Sequence, residues 1–288
     1  MQILVTGLLL GGTYALIALG LTLQYGVARI MNLANGETLV AACFVAFWLF
    51  TVVEVNPLIG MLAIAPIALA LNWLIYAGLM QPLVRRAKNR GMLEVDTILA
   101  TFGLLFLFQG LMLLGFGGGY FSYKFLAEPF LILGDSYGLN RVVAFIAAAS
   151  VAALLYLFLY CTRYGTAIRA VAVDPTSAQL VAIDVPRMAG FAFALGGALT
   201  ACGGTLLSTF YTFNASMGVI FTMKALIIVI MGGVGDVRGA TIAALILGVA
   251  ETTVASLIDP GLTLATNYAL FILVLLFRPQ GILGRASA

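Results

Sequence analysis

Long apolar runs, each ended by a short polar stretch, fill almost the whole chain. About nine of them have a length near the ~20 residues that a membrane-crossing helix needs: 3–23, 38–53, 58–80, 97–115, 141–161, 188–211, 219–232, 240–258 and 264–277. Apolar residues are continuous within each run and do not alternate, which excludes the strands of an outer-membrane barrel. The pattern therefore predicts an all-α polytopic membrane protein with about 8–9 transmembrane helices, organised as a single transmembrane domain over 1–288.

Two parts of this pattern are less regular than the rest. The regions 31–53 and 219–240 are either simple helices or broken or re-entrant segments. The first run starts without a basic leader, carries Gly11 and Gly12, and shows no compelling cleavage site. These features favour a spanning helix over a removed signal peptide.

Composition agrees with a membrane protein and removes several kinds of chemistry. The chain is 63% hydrophobic and 9% charged, whereas soluble domains are about 45–50% apolar and about 25% charged. It has no histidine, which excludes a Ser-His-Asp triad and His-ligated zinc or haem. The cysteines Cys43, Cys161 and Cys202 lie far apart in apolar runs and fit buried inert thiols. We therefore predict no catalytic residue and no metal site.

The cations divide unequally between the two sides of the nine predicted spans. One side carries Arg29, Arg85, Arg86, Lys88, Arg90, Arg163, Arg169, Arg187, Arg238, Arg278 and Arg285. The other side carries only Lys124 and Arg141, and Lys224 falls inside a span. The positive-inside rule makes the first side cytoplasmic, so the N-terminus is predicted outside and the C-terminus inside. The basic loop 81–96 is predicted to contact anionic lipid headgroups.

Polar residues interrupt the apolar pattern between Tyr25 and Glu37. Asn32, Asn35, Gly36 and Glu37 lie in this break. At membrane depth such a break is tolerated only where it is buried in protein or lines a cavity. The alternative is a cytoplasmic turn in which Asn35-Gly36 reverses the chain and Glu37 caps the next helix. The spacing leaves both interpretations open.

The loop 162–187 has helix-start signals inside a cytoplasmic connection. Asp174 followed by Pro175 predicts a short helix over about 175–182, and Pro186 predicts a second start that leads into the next span. The short helix would carry an apolar side formed by Ala178, Leu180, Val181 and Ile183. That side either docks a partner or folds against the bundle of its own chain.

Glycine-rich and charged positions elsewhere have simpler interpretations. The stretch 232–239 lacks Gly-Lys-Ser/Thr and follows no βα unit, so it is not a phosphate-binding loop, and the chain carries no nucleotide site of its own. Gly196, Thr200 and Gly204 form a small-residue stripe that allows close helix packing. Lys224 and Glu251 lie in adjacent spans and are predicted to pair.

Several segments in order resemble one family, the integral membrane permeases of bacterial ABC importers for branched-chain amino acids. The resemblance covers almost the whole chain, and the short N-terminus makes it closer to the LivH than to the LivM type. The matching segments are 11–23, Tyr25-Gly26, 31–37, 165–183, 232–240 and 278–284. Two positions depart from the pattern. Asn35 replaces the usual His, which leaves the solute open, and Ala182 replaces a Gly, which we expect to alter only the helix end because alanine is acceptable where φ is negative.

The resemblance implies roles for particular residues. The break at Asn32, Asn35, Gly36 and Glu37 would face the translocation pathway. The segment that contacts the ATPase would include Gly165, Arg169, Ala170, Asp174, Pro175 and Ala178.

The resemblance also implies partners and a location. They are a homologous second permease, two cytoplasmic ABC ATPases that bind the ATP-Mg, and a periplasmic solute-binding protein, with no cofactor in this chain and no nucleic acid. The protein would lie in the bacterial inner membrane. The solute is a branched-chain amino acid or a related one, or another small polar solute such as urea or an organic acid. An ion-coupled secondary transporter using Glu37, Lys224 and Glu251 is a further alternative, and an intramembrane enzyme lacks any nucleophile and base pair.

Overall fold

Helices make up nearly all of the computed structural model, which describes residues 2–87, 90–126, 128–132, 135–278 and 280–283. The positions Lys88, Pro279, Gly284 and Arg285 of the sequence analysis lie outside the described residues. The helices are α1 Gln2–Ala28, α2 Asn35–Val52, α3 Pro57–Ile75, α4 Gln81–Arg86, α5 Arg90–Phe116, α6 Leu139–Cys161, α7 Arg163–Val173, α8 Pro175–Leu180, α9 Val185–Ser208, α10 Gly218–Gly232, α11 Val237–Leu257 and α12 Thr263–Phe277. The strands β1 Pro129–Ile132 and β2 Asp135–Gly138 form an antiparallel hairpin between α5 and α6.

The predicted spans are confirmed as helices. Eight helical stretches in the described residues are long and apolar enough to cross a membrane, and α10 is a shorter apolar helix of 15 residues. The third span continues from α3 through the π-helical turn Tyr76–Met80 into α4. The fourth begins at about residue 91, six positions before its predicted start. The all-α polytopic membrane fold is therefore confirmed.

Helix α9 forms the centre of the bundle and is buried along almost its whole length. It packs against α1, α2 and α3. A Cβ atom on Gly196 would lie 2.4 Å from the carbonyl oxygen of Gly20, and one on Gly204 would lie 2.3 Å from that of Leu39. Because only glycine fits at these crossings, the small-residue stripe brings α1 and α2 into backbone contact with α9.

The bundle has two ends that differ in charge. At the end that carries α7 and α8, called here the α7–α8 end, Arg29 donates a hydrogen bond to the carbonyl oxygen of Ala172, and Arg238 donates one to the hydroxyl of Tyr156. At the opposite end, called the hairpin end, Asn140 donates to the carbonyl oxygen of Thr209 beside Arg141. Cations from distant parts of the sequence thus meet at the α7–α8 end.

Aromatic side chains close the hairpin end above α2. The backbone of Phe121 pairs with that of Phe213 in an isolated bridge. The ring of Phe44 in α2 stacks on Phe116 at a centroid distance of 4.2 Å and meets Phe121 and Phe213 edge-on at 5.3 and 5.2 Å. This cluster ties α2 to the connection before the hairpin and to the connection between α9 and α10.

Candidate functional site

The chain reverses direction between α1 and α2 before α2 begins. Helix α1 ends at Ala28, and Arg29 takes a left-handed backbone conformation with φ of 58°. Such a residue commonly ends a helix and turns the chain away from its axis. Asn35 and Gly36 are already helical residues of α2, and no side chain caps that helix. Asn35-Gly36 is therefore not the reversing turn, and Glu37 does not cap α2. These observations favour the first interpretation, in which the break is buried in protein, over the cytoplasmic turn.

The start of α2 lies inside the bundle rather than at its end. Asn35 Oδ1 accepts a hydrogen bond from Thr200 Oγ1 at 2.9 Å, and a Cβ on Gly20 would lie 2.2 Å from the same hydroxyl. Gly20 precedes the end of α1 by eight residues, which is about 12 Å along a helix. Residues 29–34 therefore run back into the bundle, and α2 starts roughly two helical turns inside it.

Polar groups from three other helices hold this re-entrant start. Asn32 Nδ2 donates to Gln24 Oε1 at 3.1 Å, and Gln24 Nε2 donates to the carbonyl oxygen of Phe193 at 3.2 Å. The backbone N–H of Gly36 donates to Thr222 Oγ1 at 2.9 Å. Asn32, Asn35, Gly36 and Glu37 are all buried. The structure thus brings the four predicted residues together against α1, α9 and α10.

Two polar groups of this site have no hydrogen-bond partner among the described residues. Both carboxylate oxygens of Glu37 and the amide nitrogen of Asn35 are buried without a hydrogen bond from the described residues. The Glu37 carboxylate lies against Gly218 at the start of α10, where a Cβ would be 2.2 Å from Oε1. Burying such groups without a hydrogen-bond partner is costly. The start of α2 therefore buries polar groups that the described residues do not compensate.

Lys224 and Glu251 form a buried ion pair, as the sequence predicted. Lys224 Nζ lies 2.6 Å from Glu251 Oε1, and both side chains are nearly inaccessible. Lys224 also donates to the hydroxyl of Tyr14 at 2.8 Å, and Asn267 Nδ2 is 3.5 Å from Glu251 Oε2. The pair joins α10 to α11, and its polar neighbours reach it from α1 and α12. These contacts compensate each charge inside the bundle.

Helix α7 precedes the predicted short helix and was not predicted. Thr162 caps it by accepting from the N–H of Gly165 at 3.0 Å. A Cβ on Gly165 would lie 2.3 Å from the carbonyl oxygen of Phe158, so α7 folds tightly against the end of α6. Arg169 donates to the carbonyl oxygen of Leu159 at 2.9 Å, and its guanidinium lies 4.4 Å from the Tyr160 ring centre. Ala170 packs against the apolar core that α7 shares with α1, α6 and α9.

The predicted start of α8 is confirmed. Asp174 Oδ1 accepts from the N–H of Thr176 at 2.9 Å, and Pro175 is the first helical residue. The pKa of the Asp174 carboxyl is lowered, first by the hydrogen bond from the Ser177 hydroxyl and then by the backbone N–H groups of Ser177 and Thr176. The ionised carboxylate is thus the form that caps α8.

The apolar side of the loop divides between the bundle and the exterior. Ala178 is buried in the core, and Ile183 packs beside it. Leu180 and Val181 are 85% and 69% exposed. The sequence left two alternatives, folding against the chain's own bundle or docking a partner. Part of the apolar side folds against the bundle, and the rest is exposed.

The expectation for Ala182 is wrong. We expected alanine to be acceptable because φ would be negative, but Ala182 has a φ of 60°. Its N–H closes the end of α8 by bonding to the carbonyl oxygen of Gln179 at 3.1 Å. This left-handed position favours glycine, so alanine is strained here.

Sequence reasoning missed the residues that complete these sites. They are Tyr14, Gln24, Thr200, Thr222 and Asn267. Each is an uncharged polar residue within an apolar run. That signal was present, but Thr and Asn in a membrane helix often bond to their own backbone, and only the packing shows which polar residues reach a distant helix.

Comparison with known proteins assigns the chain to a family. The family model described as the permease component of the branched-chain amino acid transport system matches residues 3–277. The permease LivH of Salmonella typhimurium is 31% identical over 99% of this chain and 96% of its own length, and BraD of Pseudomonas aeruginosa is 31% identical over the same shares. Both are named high-affinity branched-chain amino acid transport permeases.

More distant likenesses agree with a transport fold. The ribose import permease RbsC of Haemophilus influenzae is 28% identical over 81% of this chain and 71% of its own. The solved structure of PsaBC from Streptococcus pneumoniae in complex with a Fab superposes with a TM-score of 0.51 over 97% of this chain and 93% of that one, at 11% identity, which shows a shared fold. Together with the spanning helices and the interrupted start of α2, these matches show that the chain belongs to the permease family of branched-chain amino acid transport systems.

Proposed function

We propose that this chain is the transmembrane permease subunit of an ATP-driven importer and forms half of a translocation pathway for branched-chain amino acids. The observation that carries the proposal is the re-entrant start of α2, where Asn35 and Glu37 keep polar groups buried without a hydrogen-bond partner in the described part of the bundle. Irregular polar backbone at depth is tolerated where it is buried in protein or lines a cavity. The relatives named for this transport supply the solute class.

The partners follow from the same proposal. A homologous permease completes the pathway, two ABC ATPases bind and hydrolyse ATP, and a periplasmic binding protein delivers the solute and provides most of the specificity. The cations at the α7–α8 end support a cytoplasmic position for that end in the bacterial inner membrane. The exposed Leu180 and Val181 of the α8 region would then contact an ATPase.

Movement of α8 can reach the solute pathway through direct contacts. Helix α8 leads through Asp184, which caps α9 by accepting from the N–H of Arg187 at 3.1 Å. Helix α9 holds the start of α2 through the bond between Thr200 and Asn35. ATP-driven closure of the ATPases would push α8, shift α9 and separate α2 from α10. The unsatisfied groups of Asn35 and Glu37 would then meet water or solute in the second of two packings.

Cysteine labelling tests this position of α2. In a background lacking Cys43, Cys161 and Cys202, we would introduce Asn35→Cys or Glu37→Cys into the complete transporter and treat it with a polar thiol reagent. We expect labelling to depend on the nucleotide state and to fall when solute-loaded binding protein is added, because the solute and the closed bundle exclude the reagent.

Ser150 provides the matched control, since it is an exposed residue of α6 in a predicted lipid-facing position. Ser150→Cys should label poorly and equally in every state. Equal labelling of the α2 positions in all nucleotide states, with or without binding protein, would contradict a place for them in the pathway.

A further inference from the structure

A cavity of about 580 Å³ lies at the α7–α8 end, apart from the start of α2. Its walls come from the last turns of α1, the end of α6, helix α7 and the turn between α10 and α11. Pockets that hold small organic ligands have volumes of about 300–1,000 Å³. The cavity therefore has room for a small molecule, and its walls belong to the elements that meet beside α8.

Four charged residues line this cavity, two of each sign. Arg29 and Arg169 provide guanidinium groups, and Glu94 and Asp236 provide carboxylates. Two guanidinium groups alone would favour an anion, but the two carboxylates oppose a second negative charge in the same space. A balanced set of this kind complements a zwitterion, which brings one charge of each sign and no net charge.

Arg29 has spare capacity to bind a carboxylate. Its Nη2 donates to the carbonyl oxygen of Ala172 in α7 at 3.3 Å, whereas its buried Nε has no acceptor in the described part of the chain. The residue also holds a left-handed backbone with φ of 58°, a conformation that concentrates at functional positions. A guanidinium binds a carboxylate through paired N–H groups.

An apolar wall lies beside these charges. Leu23 and Val27 from α1, Ile168 from α7 and Val234 from the α10–α11 turn line the same cavity. Aliphatic side chains on three elements give a surface on which a branched aliphatic group would be desolvated. The charged and apolar parts together match an α-amino acid with an aliphatic side chain.

We propose that this cavity binds the zwitterionic aliphatic amino acid from the cytoplasmic side, with its carboxylate on Arg29 and its ammonium group facing Glu94 and Asp236. The identity of the ligand and the side of entry rest on the proposed function. A bound amino acid would bridge α1, α7 and the turn before α11, so it would hold α7 in place beside α8. Accumulated product would thereby slow the transport cycle.

Direct binding tests the site. The complete transporter is placed in lipid nanodiscs without binding protein, and binding of tritiated L-leucine is measured. We expect Arg29→Gln to weaken binding roughly tenfold or more, since it removes a charge-assisted hydrogen bond. Val234→Trp should have a similar effect because Val234 is 53% exposed at the cavity and a large ring would fill the space. Arg141→Gln, at the hairpin end, should bind as the wild type does.

Analogues that carry one charge test the zwitterion. Isopentylamine lacks the carboxylate and 4-methylpentanoate lacks the ammonium. Each should therefore displace tritiated leucine at least tenfold less well than unlabelled leucine does. Equal competition by 4-methylpentanoate would overturn the zwitterion site in favour of a plain anion site. Leucine binding that is unaffected by both Arg29→Gln and Val234→Trp would overturn this location.

A second measurement uses transport. Unlabelled leucine sealed inside proteoliposomes of the complete transporter should lower the initial uptake rate driven by ATP and binding protein, and Arg29→Gln should reduce that inhibition. Uptake that persists with no effect of internal leucine and no binding at this cavity overturns this inference and leaves the proposed function standing. Absence of any ATP-driven uptake would instead count against the proposed function.

Discussion

The backbone of Ala182 is a site of local strain. Ala182 holds a φ of 60° at the end of α8, and a Cβ in that conformation costs about 1–2 kcal/mol. Glycine removes the strain at the cost of a freer unfolded chain. The strain at residue 182 therefore fixes the expected direction of the stability change when alanine is replaced by glycine.

We predict that Ala182→Gly raises the stability of the purified protein by about 1 kcal/mol, or roughly 2 °C in melting temperature. The change can be measured by thermal unfolding in detergent. Ala167→Gly, inside α7, is the matched control and should lower stability because helical φ gives glycine no advantage. A fall for Ala182→Gly as large as that of the control would show that residue 182 is not strained.

The ion pair between Lys224 and Glu251 is the second residue-scale test. Lys224→Met leaves a buried carboxylate whose hydrogen-bond partners among the described residues are Tyr14 and Asn267, and breaking such a pair costs about 3–5 kcal/mol. The double variant Lys224→Met with Glu251→Leu removes both charges and should recover most of the loss. Thermal unfolding of the wild type and of these two variants measures the loss and its recovery. A double variant no more stable than Lys224→Met would show that the two buried charges do not mainly compensate each other.

At the scale of elements, the start of α8 was predictable from local signals, whereas helix α7 and the level at which α2 begins were not. Asp174-Pro175 predicted the start of α8 because a cap and a first-turn proline act within four residues. Helix α7 was missed because its apolar residues read as part of a loop. The level at which α2 begins depends on Thr200, which is 165 positions from Asn35 and meets it only through packing.

The cap of α8 gives a prediction about coupling to the ATPases. Asp174→Ala removes the acceptor for the Thr176 N–H and should reduce the amount of ATPase that copurifies with the permease, while the protein still inserts in the membrane. Asp174→Asn keeps a capping oxygen and should retain most of the ATPase. Quantified copurification measures the difference. Full ATPase recovery with normal uptake by Asp174→Ala would contradict a coupling role for α8.

The lowered pKa of Asp174 determines the pH range in which it caps α8. A carboxyl with a lowered folded-state pKa stabilises the folded form above its unfolded pKa, and this contribution is lost as the pH falls through the folded value. Between pH 6 and pH 8 the cap therefore stays ionised, and copurification of the ATPase should not change through Asp174.

Across the whole molecule, the positions of the spanning helices were predictable because the apolar runs that form them are properties of the sequence itself. The pairing of Lys224 with Glu251 was predictable because they are the charges of two adjacent spans. The central position of α9 also follows partly from Gly196 and Gly204, whose spacing indicates a close crossing. The aromatic closure by Phe44, Phe121 and Phe213 was not predictable, because it joins α2 to two connections that are remote from it in sequence.

The most direct test of the account is uptake of radiolabelled leucine by proteoliposomes that contain this permease, its second permease and its ATPases. We predict uptake that requires internal ATP and external binding protein and that persists when the proton and sodium gradients are collapsed. Uptake by the permease without ATPases that disappears with the gradient would contradict the account and select an ion-coupled transporter.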